Sequence, residues 1–243
     1  MNIVSLSCPA VFDGRAIRVG DQTFSCNVLR TAAREWQARV MSITNADVEA
    51  LLKHADKVGL KPQPQKRGWG HMGAVLADAS LQAGINYATV VEPRVRRLID
   101  EWPDATTTSA FVARSQTDDV AATLRFKPDS KKMRTLRDLT DFMHEEGVET
   151  PEALAVELLD EGFLGRLRRV KGVGPKTVDY LSILTGSHDH VAVDSQIKAF
   201  VREAGCAAVT YKDVREIVVR AAAERGWTAG SLDAAIWKYR STR

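Results

Sequence analysis

Residues 163–199 read FLGRLRRVKGVGPKTVDYLSILTGSHDHVAVDSQIKA, and the expected architecture of the chain can be built outward from them. Apolar residues at three-residue spacing predict one face of a short helix, namely Leu164, Leu167 and Val170. Gly172 and Gly174 then predict a tight turn, because glycine adopts positive φ and lets another molecule approach the backbone. Pro175 suits the first position of a second helix, where a missing N–H group costs nothing.

Basic residues surround this turn, and no acidic residue separates them in the sequence. Five cations lie between Glu161 and Asp179, namely Arg166, Arg168, Arg169, Lys171 and Lys176. Because N–H groups at a helix N-terminus attract anions, a turn flanked by cations is suited to a phosphodiester. The alternative interpretation is a packing element whose charges are only solvated.

Two motifs in this stretch occur together at a specific spacing. GVGPKT occupies residues 172–177, VAVD occupies residues 191–194, and Asp194 follows Lys176 by 18 positions. The combination resembles the helix-hairpin-helix (HhH-GPD) DNA glycosylase superfamily. It most resembles the endonuclease III-like branch, in which lysine directly follows the G-V-G-x turn. The resemblance extends over roughly residues 67–243.

The resemblance implies an all-α fold in two parts, with the active site in the cleft between them. Residues 67–188 would form a central helical barrel that contains the helix-hairpin-helix motif. Residues 1–66 would pack with residues 189–243 as one helical domain. In addition, two short runs around a Gly-Asp pair within residues 14–26 predict a small N-terminal β-hairpin.

Helix limits elsewhere are predicted from capping side chains and from proline and glycine. The predicted capping residues are Ser130, Thr150, Thr210 and Ser231. Gly162 is expected to separate the helix after Thr150 from the short helix before the turn. The predicted helices are 27–41, one that ends at Gly59, 71–84, 92–102, 118–124, 131–146, one that begins at Pro151, 195–204, 211–225 and one that begins after Ser231.

The resemblance implies a DNA base-excision repair glycosylase that is also an abasic-site (AP) lyase. Lys176 would attack the sugar C1′ as a neutral amine, form a Schiff base and permit nicking by β-elimination. The positive end of the helix dipole would favour that neutral amine. Asp194 would stabilise the positive charge on the sugar and accept the proton of the nucleophile. The alternatives are a lysine that contacts phosphate and an aspartate that caps the helix beginning at Ser195.

The implied partner is double-stranded DNA that contains a damaged or modified base. The predicted DNA-binding residues of the turn are Gly172, Val173, Gly174, Thr177, Arg169 and Lys171. Gln82 lies where the family places a glutamine that fills the gap left by an extruded base, and its amide suits the orphaned partner base. The alternative for Gln82 is an exposed polar residue at a helix end. Candidates for lining the base pocket are Tyr87, Trp69, Phe142 and His144, with core burial as the alternative for each.

The expectations about cofactors rest on the cysteines and on the turn. Cys8, Cys26 and Cys206 have no CxxC spacing, which indicates neither a disulfide framework nor a zinc site. Many endonuclease III relatives carry a four-cysteine iron–sulfur cluster near the C-terminus, where this chain has only Cys206, so we expect no cluster. The family often binds K⁺ or Na⁺ at hairpin carbonyls without a side-chain ligand. The corresponding carbonyls are those of Val170, Gly172 and Val173.

Charge and hydropathy limit the classes of protein to which the chain can belong. The formal net charge is +3, so affinity for DNA is expected from local patches rather than from a global field. No apolar run approaches about 20 residues, so no membrane span is predicted. The N-terminus has neither a basic n-region nor a long apolar core, which predicts an intracellular protein of the cytoplasm, nucleoid or nucleus. We expect a monomer.

Two other functions fit the same motifs. One is a monofunctional glycosylase, in which water attacks the sugar and Lys176 is structural. The other is a non-catalytic helix-hairpin-helix module that only binds the DNA backbone. The chain departs from the family pattern at Lys171, where relatives often have proline, and at Gln196, where they often have His or Asn. These departures keep the catalytic pair but weaken any transfer of substrate preference from the family.

Overall fold

The computed structural model describes residues 11–12, 16–19, 22–25, 45–64, 68–206 and 210–241. Most of these residues are helical, which confirms the all-α class. The predicted helix 27–41 lies outside the described residues, as do Cys8 and Cys26. None of the helices in the described part is long and apolar enough to cross a membrane.

The helices are numbered along the chain, and residues 45–57 belong to α1. The others are α2 Met72–Leu81, α3 Glu92–Glu101, α4 Thr108–Thr117, α5 Val120–Thr123, α6 Lys131–Glu145, α7 Pro151–Glu157, α8 Glu161–Leu167, α9 Pro175–Leu184, α10 Ser195–Glu203, α11 Tyr211–Glu224 and α12 Ala229–Ser241. A π-helical turn, Tyr87–Val91, leads directly into α3.

Two short strands occur where the sequence predicts a β-hairpin, within residues 14–26, and a third strand precedes them. They are β1 Val11–Phe12, β2 Ala16–Val19 and β3 Gln22–Ser25. Strand β2 lies in the middle and pairs antiparallel with both neighbours. Val19 stands opposite Gln22, which is the register of a tight hairpin between β2 and β3.

Several predicted caps begin the helices to which they were assigned. The side-chain oxygens of Ser130, Thr150 and Thr210 each accept a backbone N–H group of the following helix. At α11 the arrangement is reciprocal, because Asp213 accepts the backbone N–H of Thr210. Pro175 occupies the first position of α9, as predicted.

Two helix starts differ from the prediction. The break expected at Gly162 is wrong, since this glycine lies inside α8 and Asp160 caps that helix by accepting a backbone N–H at 2.6 Å. The cap expected at Ser231 is also wrong. Helix α12 begins earlier, at Ala229, and Thr228 Oγ1 accepts the N–H of Ser231 at 3.1 Å.

Two further helices differ in extent or existence. Helix α2 was expected to continue to Gly84 but ends at Leu81, with Gln82 as its C-cap. Helix α4 has no counterpart in the sequence prediction. Thr107 caps α4 through its side chain, and the buried ring of Phe111 anchors it to the core.

The core of the described residues consists of two hydrophobic clusters. The first cluster contains buried residues between positions 72 and 184, together with Ala192. The second cluster contains buried residues between positions 191 and 236 and four from the N-terminal side, namely Val48, Leu51, Ala55 and Leu60. Residues on both sides of the first cluster in sequence therefore pack together in the second.

Helix α2 is the centre of the first cluster. All ten of its residues are buried, and it contacts α3, α4, α6 and α9. Gly73 allows the approach of α4, because a Cβ at this position would lie 2.6 Å from Cδ2 of Phe111. The packing of α2 fixes Gln82, at its C-terminus, relative to α9.

Candidate active site

A cleft of about 1020 Å³ lies where elements of both clusters meet. One wall is formed by residues 82–89 and α9, and the other by residues 192–196, α10 and α12. The helix side chains on these walls are Lys176, Tyr180, Lys198, Asp233, Trp237, Arg240 and Ser241. Three residues that were predicted from distant parts of the chain, Lys176, Asp194 and Gln82, thus line one cleft.

Lys176 lies in the first turn of α9, directly after Pro175. Its side chain is half-buried, and Nζ donates a 2.6 Å hydrogen bond to Oε1 of Gln82. The Nε2 atom of Gln82 is buried and has no hydrogen-bond partner among the described residues. Gln82 is therefore a half-buried residue at the end of α2, with its amide nitrogen buried rather than exposed to water.

A second lysine, Lys132, lies near Lys176. It occupies the second position of α6, and its half-buried Nζ donates a 2.6 Å hydrogen bond to the carbonyl oxygen of Ala83. Burial, and after it the positive charge of Lys176, lowers the pKa of Lys132. Sequence reasoning missed Lys132 because the contact joins two helices that are far apart in the chain.

Asp194 caps α10, as expected from its position before Ser195. Its Oδ1 accepts the backbone N–H of Gln196 at 2.8 Å and that of Ile197 at 3.0 Å. These two bonds fix the orientation of a half-buried carboxyl group that lines the cleft. The capping role and a position in the cleft are therefore compatible.

The turn between α8 and α9, residues 168–174, depends on Gly172. Its φ is +93°, and a Cβ at this position would lie 2.2 Å from Oγ1 of Thr135. The same Oγ1 donates a 3.2 Å hydrogen bond to the carbonyl oxygen of Lys171. Gly174 differs, since its φ is −113° and a Cβ there would meet nothing within 4 Å. Gly172 is thus required by conformation and space, whereas Gly174 leaves the backbone open to an approaching group.

The basic residues around the turn have an acidic neighbour in space although none in sequence. Arg166 donates two 2.7 Å hydrogen bonds to Glu146, the C-cap of α6. Three of the remaining basic residues are exposed, namely Arg168, Arg169 and Lys171. Val173 and Thr177 are buried, so contacts of these two residues with DNA would use their backbone groups.

Among the described residues, no group of three or more His, Cys, Asp or Glu side chains is placed to hold a metal ion. At the turn, the carbonyl oxygen of Val170 accepts the N–H of Val173 at 3.0 Å. A monovalent cation at the carbonyls of this turn stays a prediction.

A buried carboxylate, Asp78, stands behind the cleft. Trp69 Nε1 donates to its Oδ2 at 2.8 Å, Tyr87 OH donates to the same atom at 3.0 Å, and Tyr180 OH donates to Oδ1 at 3.0 Å. Because Tyr87 and Tyr180 line the cleft, Asp78 orients two phenol groups of its wall. The available signal was an aspartate in an otherwise apolar helix, since a buried carboxylate requires hydrogen-bond donors.

Of the four residues proposed to line a base pocket, the cleft contains Tyr87. Tyr87 lines the cleft, where its ring meets Trp237 edge-on with centroids 6.4 Å apart. Phe142 packs against Phe163 at a centroid distance of 5.4 Å, beside the first cluster, and does not line this cleft. His144 is exposed in the last turn of α6. Trp237 was missed by the sequence reasoning.

Asp179 joins α9 to the loop before Asp194 and to α11. It accepts hydrogen bonds from His190 Nδ1 at 2.8 Å, Tyr211 OH at 2.6 Å and Arg215 Nε at 3.1 Å. Burial acts to raise the pKa of Asp179, but these bonds and the Arg215 charge outweigh it, so that the pKa lies below its ordinary value of 3.8. Burial, and then the hydrogen bond to Asp179, raises the pKa of Tyr211.

A comparison with models of protein families matches residues 46–241 to a family described as Domain of unknown function (DUF8548). The matched region includes every residue of the cleft. No curated protein and no solved structure matches the chain. The family match covers well over half of the sequence, and the chain therefore belongs to the DUF8548 family.

Proposed function

We propose that the protein is a DNA glycosylase with abasic-site lyase activity, which removes a damaged or modified base and nicks the strand. The observation that carries the proposal is that Lys176 and Asp194 line one cleft, although they belong to different helix ends. An amine and a carboxylate on the same cleft are the groups that Schiff-base chemistry at a sugar requires. Gln82 on the same wall adds the group expected to occupy the space of an extruded base.

In the proposed reaction the neutral amine of Lys176 attacks C1′ of the deoxyribose. The C1′–N bond to the base breaks, the base leaves with the electron pair of that bond and takes up a proton, and Asp194 accepts a proton from the amine. The C1′–O4′ bond of the sugar ring then breaks, O4′ takes up a proton, and C1′ is left as a protonated Schiff base of Lys176, which acidifies the C2′ proton. Loss of that proton breaks the C3′–O bond, so that the 3′ phosphate leaves and the strand is nicked. Asp194 also stabilises the positive charge on the sugar.

The proposed DNA-binding surface is the helix-hairpin-helix formed by α8, the turn and α9. Its support is the open backbone at Gly174 and the exposed Arg169 and Lys171, which are suited to a phosphodiester. Duplex DNA is the proposed partner, with the chain acting as a monomer in the compartment that contains the DNA. The carbonyl oxygens of Val170, Gly172 and Val173 would hold the monovalent cation, whose positive charge would favour a phosphate at the turn.

One observation favours the monofunctional alternative. The hydrogen bond from Lys176 to Oε1 of Gln82 is stronger for an ammonium group than for a neutral amine. It therefore favours the protonated form of Lys176, which cannot attack the sugar. Lys176 would then be structural, and water would attack the sugar. A non-catalytic DNA-binding module is less well supported, because it assigns no role to the cleft.

The proposal is tested by borohydride trapping on a duplex that contains one abasic site. A covalent complex is expected with the parent protein and is expected to be lost in Lys176→Gln. Lys212→Gln is the control, because it removes the same charge from an exposed position of α11 that does not line the cleft, and this variant should still be trapped. Peptide mapping should locate the adduct on Lys176. Absence of a complex with the parent protein, despite DNA binding, would reject the lyase assignment.

A further inference from the structure

Two lysines are tethered to adjacent residues at the C-terminal end of α2. Lys176 of α9 donates to the side chain of Gln82, and Lys132 of α6 donates to the carbonyl oxygen of Ala83, each at 2.6 Å. Both lysine side chains are half-buried. Three packed helices therefore hold two half-buried lysine amino groups at adjacent residues of the chain.

The electrostatic consequence of this arrangement is mutual. The charge of Lys176 contributes, after burial, to the lowered pKa of Lys132. Because Coulomb repulsion acts equally on both partners, a charged Lys132 also disfavours the ammonium form of Lys176. The side-chain oxygen Oε1 of Gln82 has the opposite effect, because its hydrogen bond favours the ammonium form of Lys176.

Other charged and titratable groups also face the cleft around Lys176. They are Asp194, Lys198, Asp233, Arg240, Tyr87 and Tyr180, with Asp78 behind the last two. The carboxylates favour the ammonium form of Lys176 and the cations disfavour it. Lys132 differs from the other cations because it is tethered to the residue next to the hydrogen-bond acceptor of Lys176.

We propose that Lys132 is a positioning residue whose positive charge increases the fraction of Lys176 present as the neutral, nucleophilic amine. The inference rests on the proposed lyase function for its biological use, but the interaction itself can be measured without DNA. It assigns to α6, which lies outside both sequence motifs, a contribution to the reactivity of α9.

The direct test is a pH titration of Lys176 after reductive ¹³C-methylation of the lysines, followed by NMR. The Lys176 signal is identified by its absence in Lys176→Arg. The titration midpoint of Lys176 is expected to rise by about 0.5 to 1 pH unit in Lys132→Gln, because a neighbouring cation has been removed. Lys132→Arg keeps the charge and should keep the parent midpoint. Lys132→Met gives a second neutral variant, and thermal unfolding checks that each protein is folded.

The same variants are then compared by borohydride trapping at saturating abasic-site DNA. At pH 7 we expect trapping by Lys132→Gln to be about 3- to 10-fold slower, in proportion to the smaller neutral fraction, and to recover as the pH is raised. An unchanged Lys176 midpoint in both neutral variants would overturn the inference. Failure of the parent protein to form any complex would instead reject the lyase function, while the NMR titration still decides whether Lys132 acts on Lys176.

Discussion

Lys176 Nζ donates a 2.6 Å hydrogen bond to Oε1 of Gln82, although 94 positions separate the two residues. The family resemblance implies a nucleophile for one and a gap-filling amide for the other, and the structure joins the two side chains directly. In the proposed reaction Gln82 enters the duplex and the contact with Lys176 breaks. Extrusion of the base and release of the amine would then be one event.

We therefore expect Gln82→Ala to affect two substrates differently. On duplex DNA with an intact damaged base, base release should fall by about 10-fold or more, because no side chain fills the gap. On a single strand that already contains an abasic site, borohydride trapping should be at least as fast as with the parent protein. Equal losses on both substrates would show that Gln82 serves Lys176 and does not fill a gap.

Substitutions of Asp194 should separate its two roles. Asn is a good N-cap, so Asp194→Asn should change the free energy of unfolding by less than about 0.5 kcal/mol, whereas Asp194→Ala should cost about 1 kcal/mol. Both should slow borohydride trapping by about 100-fold, because both lack the carboxylate. Urea unfolding and trapping measure the two effects. Trapping by Asp194→Asn within about 3-fold of the parent rate would leave Asp194 as a cap only.

The two glycines of the turn form a matched pair. Gly172→Ala should destabilise the fold by at least about 1 to 2 kcal/mol, because φ is +93° and the added methyl group meets Thr135. Gly174→Ala should leave stability unchanged within about 0.5 kcal/mol, since its φ is −113° and the space is open. If a phosphate approaches this backbone, Gly174→Ala should nevertheless weaken DNA binding measured by fluorescence anisotropy. Unchanged affinity would argue against the turn as a phosphate site.

Asp179 should make the free energy of unfolding fall as the pH is lowered into the acid range. Asp179→Asn is expected to cost about 2 to 3 kcal/mol at pH 7, less than a fully buried pair, because 32% of the Arg215 side chain is exposed. The pKa of Asp179 is lowered on folding, so its contribution is present above the ordinary value of 3.8 and is lost as the pH falls through the folded-state pKa. The difference between parent and variant in urea unfolding should therefore be smaller at pH 3 than at pH 5. A constant difference would contradict the assignment.

Local signals in the sequence predict helix starts well. Ser130, Thr150, Thr210 and Asp194 cap the predicted helices because a capping bond joins neighbouring residues and needs no tertiary contact. Helix α4 escaped prediction because its sequence, TSAFVARSQT, lacks a clear apolar face and depends on the single anchor Phe111. Gly162 does not mark the boundary before α8, because the capping side chain of Asp160, two residues earlier, begins that helix.

Long-range contacts at the cleft could not be predicted from the sequence. The acceptor of Lys176 and the pairing of Arg166 with Glu146 both depend on how separate helices pack. The same holds for Lys132 and for the tyrosines on Asp78. The motifs indicate which residues have suitable chemistry, whereas their charge state and hydrogen-bond partners follow from packing.

The second hydrophobic cluster has a consequence for the order of events during synthesis. It joins Val48, Leu51, Ala55 and Leu60 to residues between 191 and 236, which are made long afterwards. Closing so long a loop costs conformational entropy, which is offset only when the contacts with residues 191–236 form. We therefore expect residues 72–184 to fold during translation. Helix α1 is expected to pack only after residues 191–236 have been synthesised. Because α12 contributes Asp233, Trp237 and Arg240 to the cleft, a nascent chain arrested before α12 would have Lys176 in place but an incomplete cleft.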